Sequence, residues 1–149
     1  MLITLAHVGP RTRSKDGYES LTALYIERCT IFTRCETDSF RTEVALLEWL
    51  DKQQRRTPVV AVLLDGSGRQ MSSEGFASWL GRHRDQRVQH LVFRIGPANG
   101  WSDAARKRAQ LLLSLGPFTL AHALARLVVA EQIYRAFTIL TGHPYHSGH

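Results

Sequence analysis

Apolar positions along the chain switch between a period of two and a period near three and a half, and each switch marks an element. Residues Leu2–Val8 alternate and stop at Gly9-Pro10, the pattern of a strand running into a loop. Residues 18–28 place Leu21, Leu24 and Tyr25 at helical spacing, and residues 30–35 then read as a β-rich stretch. Residues 42–54, with Val44, Leu46, Leu47 and Leu50, predict a second helix that ends in the basic run 52–56. The unbroken run VVAVLL, between Pro58 and Asp65-Gly66, is expected of a parallel strand covered on both faces. Ser72 and Ser73 precede Phe76, Trp79 and Leu80, which predicts a capped helix to about residue 84. Residues 90–95 form another apolar strand, closing on the turn 96–100. Ser102 and Asp103 then cap a helix over 104–109, and residues 111–115 are a last short strand.

The final segment, from Leu115 onward, reads as a glycine-bearing turn, a helix started by Thr119, and a tail with His143, His146 and His149. Leu120, Leu124, Leu127 and Val128 make one apolar face, while Val129, Ala130, Ile133, Phe137 and Leu140 spread apolarity around the cylinder. Such a helix is expected to pack on its own sheet and on a second surface, and another copy of the chain is the economical partner. Strands alternating with helices predict one α/β domain over residues 1–149, with a mainly parallel sheet flanked by helices. Ligands of such sheets sit beyond the carboxyl ends of the strands. Three of those ends carry glycine: Leu64-Asp65-Gly66, Ile95-Gly96 and Leu115-Gly116.

Charge narrows the partner. The formal net charge is +6, and of the 19 basic residues only Lys15, Lys52 and Lys107 are lysines. Guanidinium grips phosphate with two parallel hydrogen bonds and stacks on bases, so an arginine-dominated surplus favours RNA over a simple solubility charge. The loop 11–17 is basic at its tip, with Arg11, Arg13 and Lys15. Cys29 and Cys35 lack metal-ligand spacing and read as reduced thiols, and a tail bearing only imidazoles makes a weak metal site, so no metal is expected. The opening residues lack a leader pattern and no apolar run reaches membrane-spanning length, which leads to the expectation of a soluble, cytoplasmic protein without membrane contact. Neither GxGxxG nor GxxxxGK[ST] occurs, so the glycine ends suit a ligand held by its purine and ribose rather than by a pyrophosphate; the competing reading is ordinary strand-end turns.

The segments LLDGSGRQMSSEGFASWL, FRIGPANG and LSLGPFTLAHALARLVVAEQIYRAFTILTGHPYH resemble the bacterial ribosomal RNA large-subunit methyltransferase H family, within the SPOUT superfamily. The resemblance is close over the last ninety or so residues and looser over the first strand and helix. It implies a C-terminal trefoil knot in the sheet, a homodimer, and S-adenosylmethionine-dependent methylation of N3 of a pseudouridine in 23S ribosomal RNA on assembled ribosomes. It places the cofactor against Leu64, Gly96, Leu115, Gly116, Pro117, Phe118, Thr119 and Leu120. It places His122, Arg135, Tyr145 and His146 at active-site and RNA-contact positions. Since the imide N3 must lose a proton to attack, His146 is the candidate base or relay, Tyr145 a contact to the substrate ring, and Arg135 a partner for the imide anion.

Other polar residues in these segments have plainer readings. His122 near the helix start also suits satisfaction of free backbone groups. Arg126 and Glu131 lie five apart and need not interact, Tyr134 suits the core or a subunit interface, and Arg82, Arg84 and Arg87 suit a solvated face or the RNA path. Two positions depart from the family pattern: Pro97, where many relatives have a second glycine, and Ser147, where they commonly have a basic residue. Pro97 removes an N–H and stiffens the turn, so the alternative function is an RNA- or ribosome-binding module with weakened cofactor affinity.

Overall fold

The computed structural model describes residues 1–9, 16–97 and 99–148. The basic loop tip with Arg11, Arg13 and Lys15, the Ala98 position of the glycine turn, and His149 of the tail lie outside the described residues. Five strands, β1 (Leu2–Val8), β2 (Arg34–Phe40), β3 (Val59–Gln70), β4 (His90–Ile95) and β5 (Leu111–Ser114), form one sheet in the order β2-β1-β4-β3-β5. Every pairing is parallel, with Ile3 beside both Cys35 and Leu91 and with Val62 beside Phe93 and Leu111. β4 is buried along its whole length, as a central strand with helices on both faces must be.

Helices α1 (Gly17–Cys29), α3 (Ser73–Asp85) and α5 (His122–Thr141) cover one face of the sheet, and α2 (Glu43–Arg56) and α4 (Asp103–Lys107) cover the other. Ser72 caps α3 by accepting from the Gly75 N–H, Thr42 caps α2 from Ala45, and Ser102 caps α4 from Ala105. The first core gathers Phe76, Phe93, Ile133 and Phe137; the second gathers Leu46, Leu50, Val92 and Trp101. α1 and α5 pack on each other and are clamped by Arg126, which gives a 2.9 Å ion pair to Glu19. Among the described residues no helix is long and apolar enough to cross a membrane.

Four sequence expectations shift. Residues 30–33, three β-branched and one aromatic, form the turn that closes α1, with the N–H groups of Phe32 and Thr33 both bonding the Cys29 carbonyl. The strand follows as RCETDSF, an edge strand whose polar alternation hid it. β3 does not stop at Leu64: it bulges between Leu64 and Arg69, and its extension to Gln70 pairs with the end of β5. α4 ends at Lys107, short of the expected residue 109. α5 starts at His122 after Ala121, with no side-chain cap, so Thr119 belongs to the loop before it.

Candidate active site

The bulge of β3 and the carboxyl ends of β4 and β5 open on a cavity of about 440 Å³. Its wall contains Leu64, Gly96 and all of residues 115–120, so the eight positions assigned to the cofactor lie around one space. Its size is that of an ordinary small-molecule pocket. Gly96 is obligatory, because a Cβ there would lie 2.5 Å from Cε2 and Nε1 of Trp101. The same indole donates Nε1–H to the Leu64 carbonyl at 3.1 Å, joining the β3 bulge to the end of β4. Arg94, wholly buried in β4, supports this corner: Nη2 donates to the Ala105 carbonyl at 3.2 Å, and the guanidinium lies 5.7 Å from the Trp101 ring. Burial pushes the Arg94 pKa down to about 10.

The third strand end is shaped by Ser114, whose Oγ accepts from the Gly116 N–H at 3.1 Å and donates to the Gly116 carbonyl at 3.2 Å. Gly116 sits at φ +117°, a conformation that L side chains rarely adopt. Phe118, 86% exposed, stands on the rim. Asp65 lies in the wall with an 8% exposed side chain and takes a 2.9 Å ion pair from Arg106. Hydrogen bonds from the Ser67 hydroxyl and N–H, with Arg106 adding to them, hold the Asp65 carboxyl below the usual carboxylate range. Sequence reasoning missed Trp101, Arg106 and the pairing of Arg106 with Asp65, a residue named only as part of its glycine loop. The indole of Trp101 carried a signal in principle, since a buried N–H demands an acceptor.

The four residues assigned to chemistry do not meet in one place. His122 lines the cavity, whereas Arg135, Tyr145 and His146 cluster near the other end of α5. At about 1.5 Å per residue, His122 and Arg135 are separated by roughly 20 Å along the helix. In the cluster, Glu131 Oε1 accepts from Arg135 Nη2 at 2.6 Å and from the Tyr145 hydroxyl at 3.0 Å. The Glu131 hydrogen bond raises the Arg135 pKa further, and burial together with the Tyr25 and Glu131 contacts pushes the Tyr145 phenol up. Tyr145 therefore stays protonated, and its ring already takes Arg135 at 4.9 Å and the Tyr134 edge at 4.9 Å. His146 bridges from Arg135 to Glu74 of α3, and that hydrogen bond lowers the Glu74 pKa. Arg126 pairs with Glu19 rather than Glu131, Tyr134 is buried in the core, and Arg82, Arg84 and Arg87 are exposed at the end of α3.

A family model described as "Predicted SPOUT methyltransferase" matches residues 1–146. Over 135 residues the chain is 48% identical to the ribosomal RNA large subunit methyltransferase H of Koribacter versatilis, covering 91% of this chain and 92% of the relative. The chain belongs to this SPOUT methyltransferase family. The methyltransferase is also 39% identical, over 99% of its length and 100% of the relative, to the protein of the same name from Gloeobacter violaceus. Among solved structures, the SpoU methyltransferase AviRb from Streptomyces viridochromogenes shares the fold, with a TM-score of 0.51 at 15% identity over 95% of this chain. The methyltransferase spans 60% of that larger chain. The cavity thus lies at the strand ends of a methyltransferase sheet, and the methyltransferase carries Pro97 in the wall of that cavity.

Proposed function

We propose that this protein uses S-adenosylmethionine to methylate N3 of a pseudouridine in large-subunit ribosomal RNA, acting as a homodimer on ribosomes in the cytoplasm. The observation that carries this reading is the 440 Å³ cavity at the β3 bulge and the ends of β4 and β5 in a chain of this methyltransferase family. Its lining suits the cofactor. The bare Gly96 backbone, the Leu115-Gly116 turn and apolar side chains suit close backbone contact with a purine, and Asp65 offers a carboxylate to hydroxyl or ammonium donors. Bound there, the cofactor supplies an electrophilic sulfonium methyl.

This chain's residues then have two tasks, positioning and proton removal. Holding two reactants in line converts a bimolecular encounter into an effectively unimolecular step. N3 of the acceptor imide must lose its proton to attack; the Nδ1 lone pair of His146 would accept it as Arg135 turns from that nitrogen to the imide oxygens, where the guanidinium would hold the developing anion while the methyl leaves sulfur. A single small domain offers limited RNA-binding surface, so the ribosome supplies the remaining context.

The 20 Å gap between cavity and tail within one chain supports the homodimer. α1 and α5 pack side by side and leave apolar surface open: Tyr18 and Leu21 are 44% and 45% exposed, and Leu124, Leu127 and Val128 are only half-buried. A second copy covering this face buries it and carries its own tail toward the cavity of the first.

The deciding experiment is transfer of labelled methyl from S-adenosylmethionine to purified ribosomes lacking the modification, comparing wild type with His146→Ala. Transfer that falls in the variant supports an enzyme whose tail is part of the site. A wild-type dimer that binds ribosomes and transfers nothing would mean that the fold serves binding alone.

A further inference from the structure

A second cavity, of about 290 Å³, lies beside the first and shares Leu113, Leu115 and Gly116 with it. Between the two spaces stands the Gly116 backbone, where even an added Cβ would meet nothing within 4 Å. One stripe of α5 runs past both. His122 and Ala125 line the first cavity, Val128, Val129 and Gln132 line the second, and Arg135 follows one turn later. The second cavity therefore lies directly beside the proposed cofactor cavity along α5.

Its chemistry is that of a nucleobase site. Met71, Phe76 and Val128 give apolar walls, Ser73 and Gln132 give hydroxyl and amide groups, and none of the lining residues is charged. The N-terminus of α3 also opens here, and its partial positive charge favours an imide that gives up a proton.

The Gln132 carboxamide is held in one orientation. Its Nε2 donates to Glu131 Oε2 at 2.9 Å, and a carboxylate accepts only, so the nitrogen must face Glu131. Its Oε1 accepts from the Ser73 hydroxyl at 2.8 Å. One N–H and one carbonyl lone pair of the amide remain. Glu131 also holds Arg135 and Tyr145, so the same carboxylate sets the amide and the tail cluster together.

Pseudouridine is joined to its ribose through carbon, so its ring keeps an N1–H next to the C2 carbonyl; in uridine that nitrogen carries the sugar. We infer that the second cavity receives the acceptor base and that Gln132 reads the edge peculiar to pseudouridine, Oε1 accepting from N1–H and Nε2 donating to the C2 carbonyl. This assignment rests on the pseudouridine reading above and adds to it a specificity-determining residue. N3 lies on the far side of the C2 carbonyl from N1, so an amide on the N1 edge leaves N3 open to the methyl.

The test uses the full-length protein and two ribosome preparations, with pseudouridine or uridine at the acceptor position, and reads the ratio of kcat/KM on the two. Wild type prefers pseudouridine, and Gln132→Leu lowers that ratio about ten- to a hundredfold, the worth of two hydrogen bonds. S-adenosylmethionine binding by calorimetry confirms that the variant is folded, since Gln132 does not line the first cavity. Ser73→Ala, which frees the amide to turn, lowers the ratio by less and decides the matter if Gln132→Leu fails to fold. A folded, cofactor-binding Gln132→Leu with an unchanged ratio overturns the assignment while leaving the pseudouridine reading intact. Wild type that treats both ribosomes alike removes the pseudouridine reading, and the role of Gln132 with it.

Discussion

Nη1 of Arg135 lies 2.9 Å from Nδ1 of His146. A guanidinium only donates, so Nδ1 accepts, and the ring proton sits on Nε2, pointing to Glu74 Oε1 at 2.7 Å. The Nδ1 side of the imidazole is thereby covered by the group assigned to the imide anion. Replacing Arg135 by Gln should lower methyl transfer about a hundredfold, the scale of one acid–base or electrostatic contribution. Calorimetry on the same variant should give cofactor affinity close to wild type, because Arg135 does not line the 440 Å³ cavity proposed to hold the cofactor. Loss of affinity and rate together would place the cluster at the cofactor instead.

Trp101 tests the cavity wall. Its Nε1–H ties down the Leu64 carbonyl and its ring fills the space beside Gly96. Trp101→Leu should weaken S-adenosylmethionine binding about tenfold, the worth of one lost hydrogen bond and a loosened wall. Affinity unchanged in titration calorimetry would show that the turn around Pro97 holds its shape unaided.

The proposed dimer interface is separable from the core. The sequence suggests that a charge at Val129 or Ile133 splits the dimer, but these side chains are 2% and 0% exposed in the core of their own chain. Val129→Glu should instead unfold the protein, at a cost of roughly 4 kcal/mol or more. Leu124→Glu or Leu127→Glu, on the half-buried stripe, should give a folded monomer by sedimentation with little methyl transfer. A fully active monomer would sink the shared site.

His90 contributes to the acid limb of the stability curve. It is buried in β4 against the Thr4 hydroxyl at 2.9 Å, and burial pushes its pKa below the ordinary 6.5, with Glu36 partly opposing. The unfolded chain therefore binds a proton at this site before the folded chain does. Its contribution is fully present above pH 6.5 and is lost as pH falls from there through the folded-state value. His90→Gln should flatten the fall in melting temperature below about pH 6.5. An unaltered slope would assign the limb to other groups.

The frame of the fold was legible wherever burial on both faces forced continuous apolar runs: β4 occupies the predicted residues, and VVAVLL begins β3. β2 was hidden because an edge strand with an exposed side needs no apolar run, and the β-branched residues before it were recruited to close a helix. The cavity was legible because parallel strands end at their ligands, and glycine marks where backbone must come close. Trp101 and the Asp65–Arg106 pair were not, because each depends on a loop or helix folding back over a neighbouring strand end. The members of the tail cluster were named from the sequence, and the fold brings Arg135, Tyr145 and His146 together. The cluster's distance from His122 was also within reach, since the helix connecting them has a known rise.

Because His122, Gln132 and Arg135 all stand on α5, that helix acts as a measuring rod with an angular scale. Each inserted or deleted residue would move everything beyond it by about 1.5 Å and turn it by about 100°. A single deletion between His122 and Gln132 would swing the amide off the second cavity, and even a full turn added would carry it past the Ser73 hydroxyl. The interval of α5 between the first cavity and the tail cluster is thus set in whole residues by the rise and twist of the helix.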